Sequence, residues 1–191
     1  IAESRNTSFD LTESSSSQQL RVVQAFVQHG ANVNALTRNG KNALHLCNDA
    51  GVAEYLISLG VGLHARTSDW TTPLYAAVCR SNLRIATVLL RAGARVNEPG
   101  PLGTSAFHKA VSIGSLQMCQ LLLANGAKPE GGNWRDGFRP LHYACLRGSD
   151  EITQLLLLLG VDPFPCDRIG RRPMRLSRGS AAGTSLMTFC C

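Results

Sequence analysis

The sequence lacks most of what catalysis and membrane insertion require. It holds no CxxC pair, no nucleophile elbow, no phosphate-cradling glycine loop and no paired carboxylates spaced to share one site. The leucine run at 155–159 is far too short for a bilayer, so no membrane segment is expected. Aromatic residues make up only 6% of the chain. The seven cysteines are odd in number, and Cys47 and Cys145 fall where small apolar core residues recur. That argues against a disulfide scaffold or a zinc site and for a reducing compartment. Cys190 and Cys191, adjacent at the end, make a poor metal site alone. The chain opens at Ile1 without Met or a signal-peptide core, so the expectation is a fragment or processed piece.

What is present is a spacing. Gly60, Gly93, Gly126 and Gly160 stand 33, 33 and 34 residues apart, each closing a leucine-rich segment. With them alternate tetrads of one pattern: Asn42-Ala43-Leu44-His45, Thr72-Pro73-Leu74-Tyr75, Ser105-Ala106-Phe107-His108 and Arg139-Pro140-Leu141-His142. Such a period means one supersecondary unit stacked on copies of itself, giving an extended surface rather than one deep cleft. A helix start accounts for the tetrads. Asn42, Thr72 and Ser105 offer side-chain acceptors, and Pro73 and Pro140 suit the first helical position. Arg139 has no capping oxygen, which predicts the weakest start. Gly51, Gly114 and Gly148, with Ser81 in the equivalent place, are expected to end this first helix. In the second helix, Ile85, Val88 and Leu89 are matched by Met118, Leu121 and Leu122 and by Ile152, Leu155 and Leu156, all on one face. The chain then turns back through Gly40, Gly103 or Gly137, with Trp70 in that place in the third unit. The interval from His45 to Gly60 is three residues shorter than its equivalents, which predicts a stubbier helix.

These motifs resemble the ankyrin repeat, with its period of 33, its β-turn finger and its T-P-L-H-x-A signature, over residues 18–177. The resemblance implies an all-α solenoid of stacked helix-turn-helix units with β-turn fingers. The expected divisions are a flexible leader or degenerate cap at 1–17, a half repeat at 18–35, repeats at 36–65, 66–98, 99–131 and 132–165, a partial repeat at 166–177 and an irregular tail at 178–191. No catalytic residue, cofactor or metal is expected. His45, His108 and His142 occupy one repeat position in successive layers and are expected to brace each turn by hydrogen bonds. Gly131-Gly132 belongs to a finger loop.

The resemblance also implies a monomer that binds a protein partner on a concave face of finger tips and first helices. On this chain the face would comprise Arg38, Trp70, Leu102, Trp134, Arg135 and Phe138 from fingers, and Arg80, Lys109, Tyr143 and Arg147 from first helices. Trp, Tyr and Arg are the types that dominate interface energies. For Trp134 the competing expectation is an aromatic clasp with Phe138 that pins its own hairpin.

The net charge is +6, of which Arg168, Arg171, Arg172, Arg175 and Arg178 account for five. The remainder is nearly neutral, so no basic stripe and no nucleic-acid partner are expected. The arginine cluster is expected to be a solvated cap, with an acidic partner patch as the next reading.

Finally, Ser185-Leu186-Met187-Thr188-Phe189-Cys190 is similar to the S-L-x-x-L-C opening of a SOCS box, with Phe at the second Leu position. A chance match and an alternative splice tail compete with that likeness. Ankyrin arrays followed by this box characterise the ankyrin repeat and SOCS box family, which presents substrates for ubiquitylation through elongin and cullin partners. The function expected is substrate recognition for such a ligase, with elongin and cullin recruited by a longer form, in the cytoplasm and the nucleus. The alternative is a scaffold or regulator that sequesters a signalling or transcription partner without a ubiquitin link.

Overall fold

The computed structural model describes residues 11–176. Helix α1 (Leu11–Gln28) is followed by four helix pairs: α2 (Ala43–Leu46) with α3 (Ala50–Ser58), α4 (Pro73–Cys79) with α5 (Leu83–Arg91), α6 (Ala106–Ile113) with α7 (Leu116–Ala124), and α8 (Pro140–Arg147) with α9 (Asp150–Leu158). A single turn, α10 (Pro173–Leu176), closes the described chain. No named strand lies among the described residues, only an isolated antiparallel bridge between Pro99 and Ser105. The first helix therefore starts at Leu11, ahead of the half repeat expected from residue 18. Residues 1–10, Arg178 and the SOCS-like segment 185–190 lie outside the described residues.

The helix starts follow the sequence chemistry. Asn42, Thr72 and Ser105 accept the backbone N–H of His45, Tyr75 and His108 respectively. Arg139 supplies no side-chain acceptor, and that unit keeps only the return bond, from the Arg139 N–H to Nδ1 of His142 at 3.0 Å. Gly114 and Gly148 end α6 and α8 in the left-handed region at φ 83° and 74°, and Ser81 adopts it at φ 54° just after α4.

Gly51 departs from expectation. It lies inside α3, which is capped by Asp49. The missing turn has been removed from α2, which has four residues, while α3 keeps the nine of α5, α7 and α9. The deletion took the last turn of the first helix, terminator included, so the stubby element is α2.

Two helical layers result. The first helices α2, α4, α6, α8 and α10 pack in succession, as do the second helices α1, α3, α5, α7 and α9. From α4 onward the first helices pack more tightly on one another than the second helices do. Leu44, Leu74, Phe107 and Leu141 fill the same inward site and are buried in every copy. Ile85 with Leu89, Met118 with Leu122, and Ile152 with Leu156 bury the second-helix face, while Val88, Leu121 and Leu155 flank it half-buried. Each fully buried aliphatic side chain stabilises the stack by about 1.5–3 kcal/mol, which no unit could gain without its neighbours.

Candidate functional site

The fingers are hairpins closed by main-chain bonds, from Thr37 N–H to Lys41 O at 2.9 Å, Thr67 N–H to Thr71 O at 3.0 Å and Gly100 N–H to Thr104 O at 2.8 Å. Successive fingers are also joined. Ser68 donates to Asn39 O, Trp134 to Leu102 O and Arg168 to Asp136 O. The histidines fasten this layer to the first helices. Nδ1 of His45, His108 and His142 lies within reach of the N-cap backbone N–H, and Nε2 lies 3.0, 2.8 and 3.2 Å from the carbonyls of Thr71, Gly131 and Arg171 in the next finger. A carbonyl needs a proton on Nε2 and an N–H needs a lone pair on Nδ1, so His108 and His142 are neutral Nε2–H tautomers, whereas Nδ1 of His45 also faces the acceptor Oδ1 of Asn42 at 2.7 Å. Burial lowers all three pKa values, partly opposed by the carbonyl bond. No group of three or more His, Cys, Asp or Glu among the described residues could hold a metal ion. Cys119 and Cys145 are buried thiols with pKa pushed up to about 12 by burial, far from thiolate chemistry.

Fingers and first helices thus make one continuous face, and its centre is aromatic. The ring centroids of Trp70 and Trp134 are 6.1 Å apart in an edge-to-face contact, yet the two residues remain 46% and 53% exposed. Trp134 reaches Trp70 by lying across the intervening finger at Gly103, where an added Cβ would stand 2.4 Å from the indole. Arg66 stacks on Trp70 at 4.9 Å while its guanidinium pairs with Glu98. Trp70 itself sits at φ 67°, the turn position that Gly40, Gly103, Gly137 and Gly170 fill at 75–78°. A left-handed conformation costs a residue with a Cβ about 1–2 kcal/mol, which a bulky exposed indole does not recover from the core.

The other expected contact residues divide by what they touch. Arg38, Leu102 and Arg135 are exposed on fingers, and Lys109 and Arg147 lie on α6 and α8. Tyr143 is half-buried, its hydroxyl 2.6 Å from Nδ2 of Asn133. Arg80 donates to the carbonyls of His45 and Cys47 at 2.8 and 3.1 Å, replacing the capping turn that α2 has lost. Phe138 is a correction. It is 7% exposed, stacked on His142 at 5.1 Å, edge-on to Tyr143 at 5.5 Å and covered by Arg171 at 5.2 Å, so it belongs to the interior. The clasp expected between Trp134 and Phe138 is instead a Trp134–Trp70 contact spanning three fingers. Arg66 was missed by sequence reasoning; its signal is a cation four residues before the one finger whose turn glycine is replaced by Trp. The arginine cluster is also less free than expected, since Arg171 pairs with buried Asp167 at 2.6 Å and Arg172 lies over Phe164 at 5.7 Å.

Comparison with known proteins agrees with this architecture. A family model described as ankyrin repeats in three copies matches residues 11–100 and again 74–165. The chain is 30% identical over 153 residues to the nuclear factor NF-kappa-B p105 subunit of Gallus gallus, covering 76% of this chain and 16% of that protein. It is 30% identical over 152 residues to the tyrosine-protein kinase Shark of Drosophila melanogaster, covering 78% of this chain and 16% of the kinase. An L-asparaginase of Dirofilaria immitis is 26% identical over 168 residues, covering 86% of this chain and 28% of that enzyme. The chain spans well under a third of each of these relatives, so their whole-protein activities do not transfer with the match. No helix among the described residues is long and apolar enough to cross a membrane.

Proposed function

Because this chain belongs to the ankyrin-repeat family, whose fold is a protein–protein interaction module, we propose that it grips a protein partner along its finger and first-helix face, anchored on the Trp70–Trp134 pair. The observation that carries this is a half-exposed indole kept in a left-handed turn where every other finger has glycine. Strain retained without a gain in burial points to a role outside folding. An exposed aromatic pair with Arg66 stacked on it has the composition of an interface hot spot. The working compartment is the cytoplasm, with the nucleus as a second location.

The finer reading is substrate recognition for a cullin-RING ligase assembled through elongin, supported by the likeness of residues 185–190 to the start of a SOCS box. The alternative is a scaffold that sequesters a signalling or regulatory partner. The test is affinity capture of the intact gene product beside its Trp134→Ala form and a control at Leu158, which is 76% exposed on α9. A defined set of proteins is expected with the wild type and Leu158→Ser, lost with Trp134→Ala. Equal recovery by all three forms would overturn the binding face. Elongin enriched no more than with an unrelated ankyrin protein would remove the ligase reading alone.

A further inference from the structure

The charges of this molecule are sorted by layer. The first helices α2, α4, α6, α8 and α10 contain no aspartate or glutamate and carry Lys109, Arg147 and Arg175. The second helices are mixed, with Arg21, Arg84 and Arg91 against Glu54, Asp150 and Glu151. The fingers add Arg38, Lys41, Arg135 and Arg168 against Asp69 and Asp136, while Asp167 is already paired with Arg171. A chain that sums to near neutrality outside its arginine cluster therefore has one helical layer that is purely cationic, which a count along the sequence cannot reveal. Among the described residues Lys109, Arg135 and Arg147 make no ion pair. Burial raises the pKa values of Cys79 on α4 and Tyr143 on α8, opposed in part by Lys109 and by Arg135 respectively.

Resting on the protein-binding reading above, we propose that the partner segment is an acidic, extended peptide with large apolar side chains, running across the repeats. Its apolar residues cover Leu102 and the Trp70–Trp134 pair, and its carboxylates meet Lys109, Arg135 and Arg147. Two features favour a peptide over a nucleic acid. Asp69 and Asp136 stand on the same finger tips as the two tryptophans and would repel a continuous phosphate backbone. The two indoles also meet edge to face, leaving no parallel platform on which successive bases could stack. A peptide that sets its apolar residues against the finger tips and its carboxylates against the first-helix cations avoids both conflicts.

The test uses this chain and a fluorescein-labelled short peptide alternating glutamate and leucine, with a lysine–leucine peptide and a single-stranded oligo-dT as comparators. Binding of the acidic peptide alone is expected, and it should weaken steeply with salt because the pairs are solvent-accessible. Charge reversal at Lys109→Glu, Arg135→Glu and Arg147→Glu together should cost about tenfold or more in affinity, while Arg84→Glu with Arg91→Glu on the outer layer should leave it within about twofold. Neutral glutamine variants at the three inner positions, folded by circular dichroism, should give an intermediate loss and guard against unfolding. An acidic peptide that fails to bind, or binds independently of salt and of the inner cations, overturns the proposal. Oligo-dT binding as tight as the peptide also overturns it, in favour of nucleic acid. If partner capture still depends on Trp134 while the acidic peptide does not bind, the acidic chemistry fails and the binding face stands.

Discussion

His45, His108 and His142 brace the molecule from one repeat position, and at His108 and His142 protonating Nδ1 would set two donors against each other at the helix start. Burial lowers their folded-state pKa below the unfolded value of about 6.5, so the folded form binds fewer protons. Their contribution is complete above that value and is lost as the pH falls below it. Urea melts taken between about pH 7.5 and pH 5.5 should show stability falling toward acid, by at most about 1.4 kcal/mol per pH unit for each histidine; a flat profile would refute the tautomer assignment. Gly103 makes the second prediction at this scale. At φ 76°, with the Trp134 indole against it, Gly103→Ala should destabilise by about 2 kcal/mol or more, since the left-handed cost and the displaced ring act together. Trp70→Gly should leave denaturant stability within about 1 kcal/mol, the relieved backbone offsetting the lost ring contact and the added freedom of the unfolded chain. The histidine brace was legible because one residue type recurs at one repeat position. Phe138 was not, because a finger residue and a core residue look alike until Arg171 and His142 are seen to enclose it.

A four-residue helix is too short to satisfy its own carbonyls, and α2 survives because other elements do so for it. The Asn42 side chain caps its start and also donates to Gly62 O at 2.8 Å, while Arg80 from the next repeat takes the His45 and Cys47 carbonyls. Arg80→Ala should therefore cost about 2 kcal/mol in urea denaturation, the range for hydrogen bonds from a charged group. Arg147→Ala, whose side chain only lies along Gly114, should stay within about 0.5 kcal/mol. Similar losses in both would show that Arg80 is no brace. Helix existence and type were readable from caps and periodicity, including Ser81 as a stand-in terminator. The placement of the deletion was not. Gly51 looks like the expected stop signal, and only the Asp49 cap shows that it opens α3 instead.

As a whole the molecule is a stack whose units are stable only in company. Among the described residues helix α1 has no first-helix partner, Val22 and Phe26 are 50% and 64% exposed, and α10 is a single turn. Amide exchange should accordingly be slowest from α4 through α8 and fastest in α1 and α10; uniform protection across the described residues would contradict this gradient. Periodicity made the stack legible because the same leucines return every repeat. The polarity of its faces was hidden, because charges that are neighbours in space come from different units. The chain has only two tryptophans, and they meet each other between the fingers of the third and fifth units. Indoles 6.1 Å apart couple their electronic transitions, so their emission and near-ultraviolet dichroism arise from this one spot with no other indole to dilute it. The protein is its own unlabelled gauge: whatever settles on those fingers will alter that signal before any dye is attached.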